Sequence, residues 1–421
     1  MKMIKRIFAP AFALRGNARY AVLTEPLWGI PATLYMPFFT LYMFHLGVHD
    51  ANIGLLVTVG LIVQMLSSVL GGVLTDKFGR RLTNVLWDHL SWTVACLLWA
   101  FAQDFRWFLV AGILNATWPI GANAWECLLV EDEEPSKVGQ LFNWVYIAGL
   151  LAVFFAPISF LLMRTFSLVP VMRGLLIFAA ISMSAKFIIH FIYATETQQG
   201  LVRLKETAGV PISRLLLQNV GVLKNIFTTP ATWLVLIFIT IMHIQQTIAN
   251  SFFALYVTLN LGFPEQYLPL LQGILRSAIM LAFFLVFQRI LNRYSMYLVM
   301  ICGLVLYIAA YVLLLLTPAG VIFPLVIFVA IDACAAALLL PRRDTMVANC
   351  MDPAERARIR ALLMALMVGF ASPFGFIAGR LAEMDRRIPF MACLGLFVIM
   401  GLIVWIERGR KNAGLAVTET G

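Results

Sequence analysis

The stretch Gly72-Val-Leu-Thr-Asp76-Lys77-Phe-Gly79-Arg80-Arg81 lies between two long apolar runs and joins them. Asp76 is expected to end a helix, and Gly79 is expected to allow a tight reversal because glycine tolerates positive φ. Gly72 is expected to permit a close helix contact, and the basic residues to hold the turn at a membrane surface. We call residues 72–81 the signature loop; it predicts two antiparallel apolar helices.

The chain around this loop is strongly apolar. Of its 421 residues, 62% are hydrophobic and 12% are charged, whereas soluble domains carry about 25% charged residues. Apolar surface on this scale requires lipid as its solvent, and a transmembrane helix needs about 20 apolar residues. The runs are too long and too uniformly apolar for barrel strands. The sequence therefore predicts an all-α membrane protein.

Apolar runs separated by short polar breaks predict twelve transmembrane helices. Their approximate bounds are 20–46, 51–73, 82–102, 107–130, 139–163, 171–195, 229–257, 266–290, 297–317, 320–341, 357–382 and 389–407. The longest hydrophilic stretch predicts three parts: a six-helix bundle at 1–195, a cytoplasmic connector at 196–228, and a second bundle with a cytoplasmic tail at 229–421. Within the connector, residues 210–222 predict an amphipathic helix on the membrane face.

Similar patterns recur in the two halves. The pattern Phe-Phe-x-Leu-Tyr occurs at 38–42 and 252–256, and each copy is soon followed by Leu-Gly. Prolines recur at 135 and 353, after the fourth and tenth runs, and at 157 and 373, in the fifth and eleventh. Repeated membrane bundles place their substrate site at the interface of the repeats, near the midplane. We therefore predict two pseudo-symmetric bundles with a cavity between them.

Lys and Arg residues predict the orientation. They are concentrated, by about four to one, on the side that would carry both termini, and cytoplasmic loops are enriched in these residues. We expect cytoplasmic termini in a plasma membrane, with a bacterial inner membrane favoured by the short loops. The net charge of +10 then requires no nucleic-acid partner. Residues 1–13 resemble a signal peptide, but Arg15 and Arg19 follow at once, which favours a basic cytoplasmic lead-in.

The signature loop resembles the major facilitator superfamily motif G-x-L-A-D-R-x-G-R-R, with Thr75 and Lys77 as its two departures. The resemblance extends over the chain through the twelve runs, the repeat and the central connector. It implies two six-helix bundles and a secondary transporter that works by alternating access. A degenerate copy of the motif occurs at 288–294, after the eighth run.

The same resemblance implies a cytoplasmic latch. Its aspartate, Asp76, would lie near the start of helix 11, and Arg80 would pair with Glu131 or Asp132 at the end of helix 4. The latch candidates are Gly72, Asp76, Gly79, Arg80, Arg81, Glu131 and Asp132. The alternative is that the loop only determines topology and has no role in gating.

Ionisable residues inside the apolar runs are candidates for ion coupling, because each costs about 2.5–3.5 kcal/mol at a helix centre. Asp332 and Arg276 lie deepest and could form a buried pair. A carboxylate that cycles between protonated and paired states would couple transport to protons; the alternative is a static ion pair. Glu25 and Glu126 are second candidates, and Lys186 is expected to extend to the membrane surface.

Two runs carry a polar face at helical spacing. In the resembled family helices 1, 4, 7 and 10 line the cavity, and aromatic residues would add walls to it. The cavity candidates are Trp28, Tyr35, Asn115, Trp118, His243, Gln246 and Asn250. This mixture suits a fairly large amphipathic or aromatic solute. The alternative is that these polar side chains only bridge neighbouring helices.

The favoured function is proton-coupled transport of a small organic solute, with a weak preference for efflux. The alternative is a ligand sensor of this fold, or a uniporter without ion coupling. Ala156-Pro157 replaces the Gly-Pro pair of drug antiporters, which weakens that assignment. The acyltransferase-like spacing of His45 and Asp50 lies in a short loop, so no enzyme is expected. We expect no cofactor or metal, and as partners only lipid, solute and protons for a monomer.

Overall fold

The computed structural model describes residues 14–217, 230–291, 293–349 and 356–419. All regular structure in these ranges is helical. The predicted lead-in at 1–13, the end of the predicted amphipathic segment at 218–222, Asn292 of the degenerate motif copy and Pro353 of the repeat lie outside the described residues.

Twelve helices or interrupted helices follow one another along the described chain. In chain order they are α1 (16–45), α2 (Asp50–Phe78), α3 (80–100), α4 (105–130), α5 (135–165), α6 (Leu168–Tyr193), α7 (230–260), α8 (269–291), α9 (Met296–Leu316), α10 (Phe323–Asn349), α11 (Arg356–Met384) and α12 (Ile388–Glu419). Eight of them, all except α1, α3, α4 and α8, are each long and apolar enough to cross a membrane. The predicted all-α class with twelve helices is confirmed.

The other four helices are interrupted, α1 and α4 at or just before prolines and α3 and α8 by π-helical turns. Helix α1 consists of Gly16–Leu23, Pro26–Tyr35, the 3₁₀ turn Met36–Phe38 and Phe39–His45; its internal prolines cannot donate a backbone hydrogen bond. Helix α4 breaks between Phe105–Asn115 and Trp118–Val130, just before a proline. Helices α3 and α8 contain π-helical turns, at His89–Val94 and Pro269–Leu275. Such turns occur frequently at functional sites.

The two copies of the Phe-Phe-x-Leu-Tyr pattern make the same contact. The Tyr42 hydroxyl donates to the carbonyl oxygen of Trp99 on α3 at 2.8 Å. The Tyr256 hydroxyl donates to the carbonyl oxygen of Leu314 on α9 at 3.5 Å. Both tyrosines are fully buried. The first and third helices of each half are therefore fastened in the same way, which is the relation expected of a repeat.

Helices α2 and α11 pack closely across the boundary between the halves. A Cβ atom at Gly54 would lie 2.5 Å from the carbonyl oxygen of Gly375, and one at Gly379 would lie 2.8 Å from the Cα atom of Gly54. The Thr58 hydroxyl adds a 2.7 Å hydrogen bond to the carbonyl oxygen of Ser372. These contacts lie near the start of α2, at the opposite end from the signature loop. Small residues thus close this side of the molecule.

The connector begins after α6 with the helix Gln198–Thr207, and Ile212–Leu217 follows. The Lys77 ammonium donates to the carbonyl oxygen of Val210 at 2.5 Å. The Thr207 hydroxyl donates to the carbonyl oxygen of Asp76 at 3.1 Å. These hydrogen bonds hold the connector against the end of α2, so it lies on the side of the signature loop. We call this the signature side.

We predict that Gly54→Leu destabilises the protein by about 1–3 kcal/mol, since the larger side chain must force α2 and α11 apart. Thermal unfolding of the purified protein in detergent measures the effect. Gly174→Leu is the matched control, because a Cβ atom at Gly174 meets nothing within 4 Å. Equal melting temperatures for the two variants would contradict the close packing of α2 on α11.

Candidate functional site

A cavity of about 710 Å³ lies between the two halves. Residues of α1–α4 line one side of it and residues of α7–α10 line the other. Five of the seven predicted cavity residues contribute to the lining: Tyr35, Asn115, Trp118, Gln246 and Asn250. The volume is in the range of sites for small organic molecules. The cavity is therefore the candidate substrate site.

Trp28 and His243 lie outside this lining, which corrects two predictions. The Trp28 ring packs edge-on against Trp92 at a centroid distance of 5.1 Å, and it is Trp92 that lines the cavity. On α7 the lining stripe includes Met242, Gln246 and Ala249. His243 is rotated about 100° from Met242 around the helix, which turns it away from the lining. Its buried Nε2 has no hydrogen-bond partner among the described residues.

Several lining residues were missed by the sequence reasoning. They are Gln64, Trp92, Trp99, Gln245, Gln272, Tyr307 and Tyr311. Gln64 could have been found, because it is an isolated amide within the apolar run of α2. Trp92 and Gln272 lie on the π-helical turns of α3 and α8. A sequence pattern with about 3.6 residues per turn does not show which face of the helix such residues occupy, because a π-helical turn changes that period.

The structure brings Arg276 of α8 and Asp332 of α10 together in the cavity wall. The Arg276 Nε donates to the Asp332 Oδ2 at 2.9 Å. The Asp332 side chain is 12% exposed, whereas the Arg276 side chain is 38% exposed. Both residues line the cavity, and Arg276 is the more accessible of the two. Next to them, the Gln245 Nε2 donates to the Tyr311 hydroxyl at 2.5 Å.

The second coupling candidate, Glu25, lies in a separate buried cluster. The Lys186 ammonium is 2.6 Å from the Glu25 Oε2 and lies over the Trp125 ring at 5.5 Å from its centroid. Lys186 is 5% exposed, so the expectation that it extends to the membrane surface is wrong; a nearby carboxylate compensates its charge instead. Glu126 is exposed and lies outside the cavity lining.

Polar groups of α1, α3 and α6 extend this cluster. The Asn84 Nδ2 donates to the Asp88 Oδ2 at 2.6 Å. The His190 ring is 3.0 Å from the Asn84 Oδ1 and 2.9 Å from the Thr24 hydroxyl. All four residues are buried. The cluster therefore ties three helices of the N-terminal half together near the signature side.

The signature loop reverses at Gly79, which has φ +84°, and the helix before it continues past Asp76 to Phe78. The Arg80 guanidinium is 3.0 Å from Glu131 and 3.1 Å from Asp76, and Arg80 is 3% exposed. Of the two acids considered for Arg80, Glu131 is thus its partner. The Asp132 carboxylate instead accepts a 3.0 Å hydrogen bond from the backbone N–H of Gln198 in the connector.

The connector also supplies the second partner of Asp76. The Arg203 guanidinium donates to the Asp76 Oδ2 at 2.7 and 3.0 Å, and hydrogen bonding to Asp76 raises the pKa of Arg203. The Glu196 carboxylate accepts the backbone amides of Arg80 and Arg81 at 2.9 and 3.2 Å, which caps the start of α3. In this structure the latch groups are therefore joined to the connector.

Gly72 does not make the close helix contact expected of it. A Cβ atom at Gly72 would meet nothing within 4 Å, so no close contact requires glycine there. The neighbouring Gly71 makes that contact: its Cβ would lie 3.3 Å from the carbonyl oxygen of Pro119 on α4. Arg81 donates to the carbonyl oxygen of Phe191, and its guanidinium lies over the Phe191 ring.

The side opposite the signature loop is closed by an ion pair between the halves. The Arg386 guanidinium donates to the two Asp50 carboxylate oxygens at 2.7 and 3.1 Å and lies over the Phe44 ring. Nearby, His45 is 3.8 Å from Glu265, and burial raises the pKa of the Glu265 carboxyl. His45 and Asp50 thus contact different partners on the C-terminal half.

Comparisons with known proteins agree with this architecture. The family model described as the MFS_1 like family matches residues 32–391. The search of curated proteins gave no match. A mutant of the nucleoside transporter NupG shares 17% identity at a TM-score of 0.73, over 93% of this chain and 99% of that one.

Two further solved structures show the same fold. A mutant of the peptide transporter POT in complex with alafosfalin shares 14% identity at a TM-score of 0.73, over 96% of this chain and 98% of that one. A bacterial homolog of the human lysosomal transporter Spinster shares 13% identity at a TM-score of 0.65, over 92% and 95% of the two chains. At these identities the likeness is one of fold alone.

We predict that Arg80→Gln destabilises the protein by about 3–5 kcal/mol, because it leaves partly buried carboxylates without their cation. Arg81→Gln is the matched control; it removes hydrogen bonds to a single carbonyl, which contribute about 0.5–1.5 kcal/mol. Thermal unfolding in detergent compares the two variants. A larger loss for Arg81→Gln would contradict the assignment of Arg80 as the buried partner of Glu131.

We also predict that Lys186→Met destabilises the protein by about 3–5 kcal/mol, since it leaves Glu25 as an uncompensated buried charge. Adding Glu25→Gln to this variant should recover most of the lost stability, because it removes the unpaired charge. Lys137→Met is the control, because Lys137 pairs with Glu134 in an exposed position and such pairs contribute little. If the double variant melts no higher than Lys186→Met alone, the loss of stability in Lys186→Met does not come from the unpaired Glu25 carboxylate.

Proposed function

The chain belongs to the MFS_1 like family, and from this membership we propose that it is a secondary transporter of a small organic solute that works by alternating access. The observation that carries the proposal is the asymmetric closure of the central cavity. The Asp50–Arg386 pair joins the halves on one side. On the signature side, no ion pair joins α1–α6 to α7–α12 within the described residues.

The signature side is the cytoplasmic side in this proposal. The concentration of Lys and Arg on that side supports it, as does the connector, whose basic residue Arg203 lies there. The protein then spans a plasma membrane, in a bacterium the inner membrane, as a monomer with both termini in the cytoplasm. The structure then corresponds to an inward-facing state, and the three predicted parts, 1–195, 196–228 and 229–421, move as two bundles and a connector.

Transport is coupled to protons in this proposal, and Asp332 is the proton carrier. Its carboxylate is paired with Arg276 at 2.9 Å in the wall of the cavity. Protonation of the carboxyl would remove its negative charge and free the guanidinium to move or to contact solute. The pair therefore offers two discrete arrangements at the solute site, which is what coupling requires. A static pair that only fixes α8 against α10 would lack the second arrangement.

The aromatic and amide lining supports a solute that is partly apolar and forms hydrogen bonds. Solved transporters with this fold are described as transporters of nucleosides and of peptides, which are small organic molecules. The aromatic walls favour amphipathic compounds and, weakly, export as the direction of transport. The family and the cavity support transport rather than catalysis.

Proton flux in proteoliposomes tests this function. A pH-sensitive dye is trapped inside, and sugars, amino acids, nucleosides, organic acids, lipophilic cations and lysolipids are added one at a time without an imposed gradient. We expect one class to move protons only when the protein is present. If none of these compounds moves protons, a uniporter or a ligand sensor is favoured instead.

We predict that Asp332→Asn abolishes this flux while expression and solute binding persist, because the amide cannot take up and release the proton. Asp344→Asn is the matched control, since Asp344 lies on the same helix with its side chain 65% exposed. Unchanged flux in Asp332→Asn would remove Asp332 from the coupling mechanism and leave the pair a static role.

A further inference from the structure

The cavity wall carries no net charge. Among the described residues that line it, Arg276 and Asp332 are the only Arg, Lys, Asp, Glu or His side chains. They neutralise each other at 2.9 Å. While Asp332 is ionised and paired, a solute with a net charge would lose its hydration in this cavity without meeting a free counterion, which is costly. In the paired state of this structure the lining therefore selects against ionic solutes.

Amide side chains supply most of the free hydrogen-bonding capacity. Gln64, Gln246, Asn250 and Gln272 line the cavity, and no hydrogen bond from their side chains to protein is found within the described ranges. Asn115 and Gln245, in contrast, donate to Ser91 and Tyr311. Each free amide offers both donors and an acceptor. Hydroxyl and amide groups of a solute match this capacity, since they also donate and accept.

The free amides lie on both halves of the protein. Gln64 is on α2 of the N-terminal half, whereas Gln246 and Asn250 are on α7 and Gln272 is on α8 of the C-terminal half. A solute that bonds to both sets would connect the halves. Its binding would therefore favour closure of the cavity, because the two sets approach each other when the halves rock together.

Flat aromatic surfaces complete the wall. Trp92, Trp99 and Trp118 line the N-terminal side. On the other side, Phe253 and Phe328 stack on each other at a centroid distance of 5.5 Å. Aromatic faces pack against flat rings and against the apolar faces of sugars. The cavity thus combines flat apolar walls with amides at their edges.

We infer that the solute is an uncharged ring compound bearing several hydroxyl or amide groups, the chemistry shared by nucleosides and aryl glycosides. This inference rests on the proposed function and specifies its solute. A volume of about 710 Å³ accommodates one such molecule. The neutral lining, the free amides on both halves and the aromatic walls each fit this class.

Ligand-induced thermal stabilisation of the purified full chain tests the inference, since a ligand that binds only the folded state raises its melting temperature. The probes are uridine, p-nitrophenyl glucoside, benzoate and tetraphenylphosphonium at millimolar concentrations. We expect uridine or the glucoside to stabilise the protein, and the one that does so distinguishes the two sources of the chemistry. Stabilisation by the charged probes alone, or by none of the four, would overturn the inference.

Variants locate the binding. Gln246→Ala should weaken the affinity for the uncharged probe about ten-fold, as expected for the loss of a hydrogen bond. Gln266→Ala, the same change in the short 3₁₀ turn Glu265–Tyr267 outside the cavity lining, should leave the affinity unaltered. Gln246→Glu should lose the uncharged probe and gain tetraphenylphosphonium. Equal affinities in Gln246→Ala, Gln246→Glu and the parent protein would contradict the site.

This assay separates the two proposals, because binding is measured without any gradient. If the uncharged probe binds and the proton flux is absent, coupled transport fails while the solute class holds. If protons move only with an ionic solute, the solute class fails while transport holds.

Discussion

The central constraint on this protein is that a charge within the membrane must find its partner inside the protein. Two pairs within the apolar helices meet that constraint, and a third pair lies at the helix ends. Glu25 with Lys186 lies within the N-terminal half, Arg276 with Asp332 lies in the cavity wall, and Asp50 with Arg386 joins the halves. Of these three pairs only the last crosses between the halves. It must break when the closed side opens, as must the neighbouring His45–Glu265 contact.

The cavity and its closure follow from this arrangement together with small residues. Where Gly54, Gly375 and Gly379 let α2 and α11 touch, the halves meet from one membrane face towards the middle. Below that contact the walls separate around the amides and aromatic rings. On the other face, Arg80 and Asp76 are joined to Glu131 and to the connector residue Arg203. The signature loop thus organises its own half, and the connector is bonded to it.

The sequence predicts the architecture well because the bilayer leaves few alternatives: long apolar runs must be helices. It also identified Arg276, Asp332 and most of the cavity candidates, since an ionisable or amide residue stands out in an apolar run. It placed Trp28 in the cavity wrongly and missed Trp92 and Gln272, because prolines and π-helical turns shift the helical phase. It also placed His243 there wrongly, although His243 lies in a regular helix beside the lining stripe. The partner of Asp76 could not be foreseen, since Arg203 is distant in sequence and approaches only through the fold of the connector.

The most direct test of alternating access is to lock the closed side. A protein with Asp50→Cys and Arg386→Cys is cross-linked by a short reversible thiol reagent, with each single variant as a control, and solute flux is measured before and after reduction. The account predicts that the cross-link stops flux, that reduction restores it, and that solute still binds from the signature side while locked. Undiminished flux in fully cross-linked protein would contradict the account.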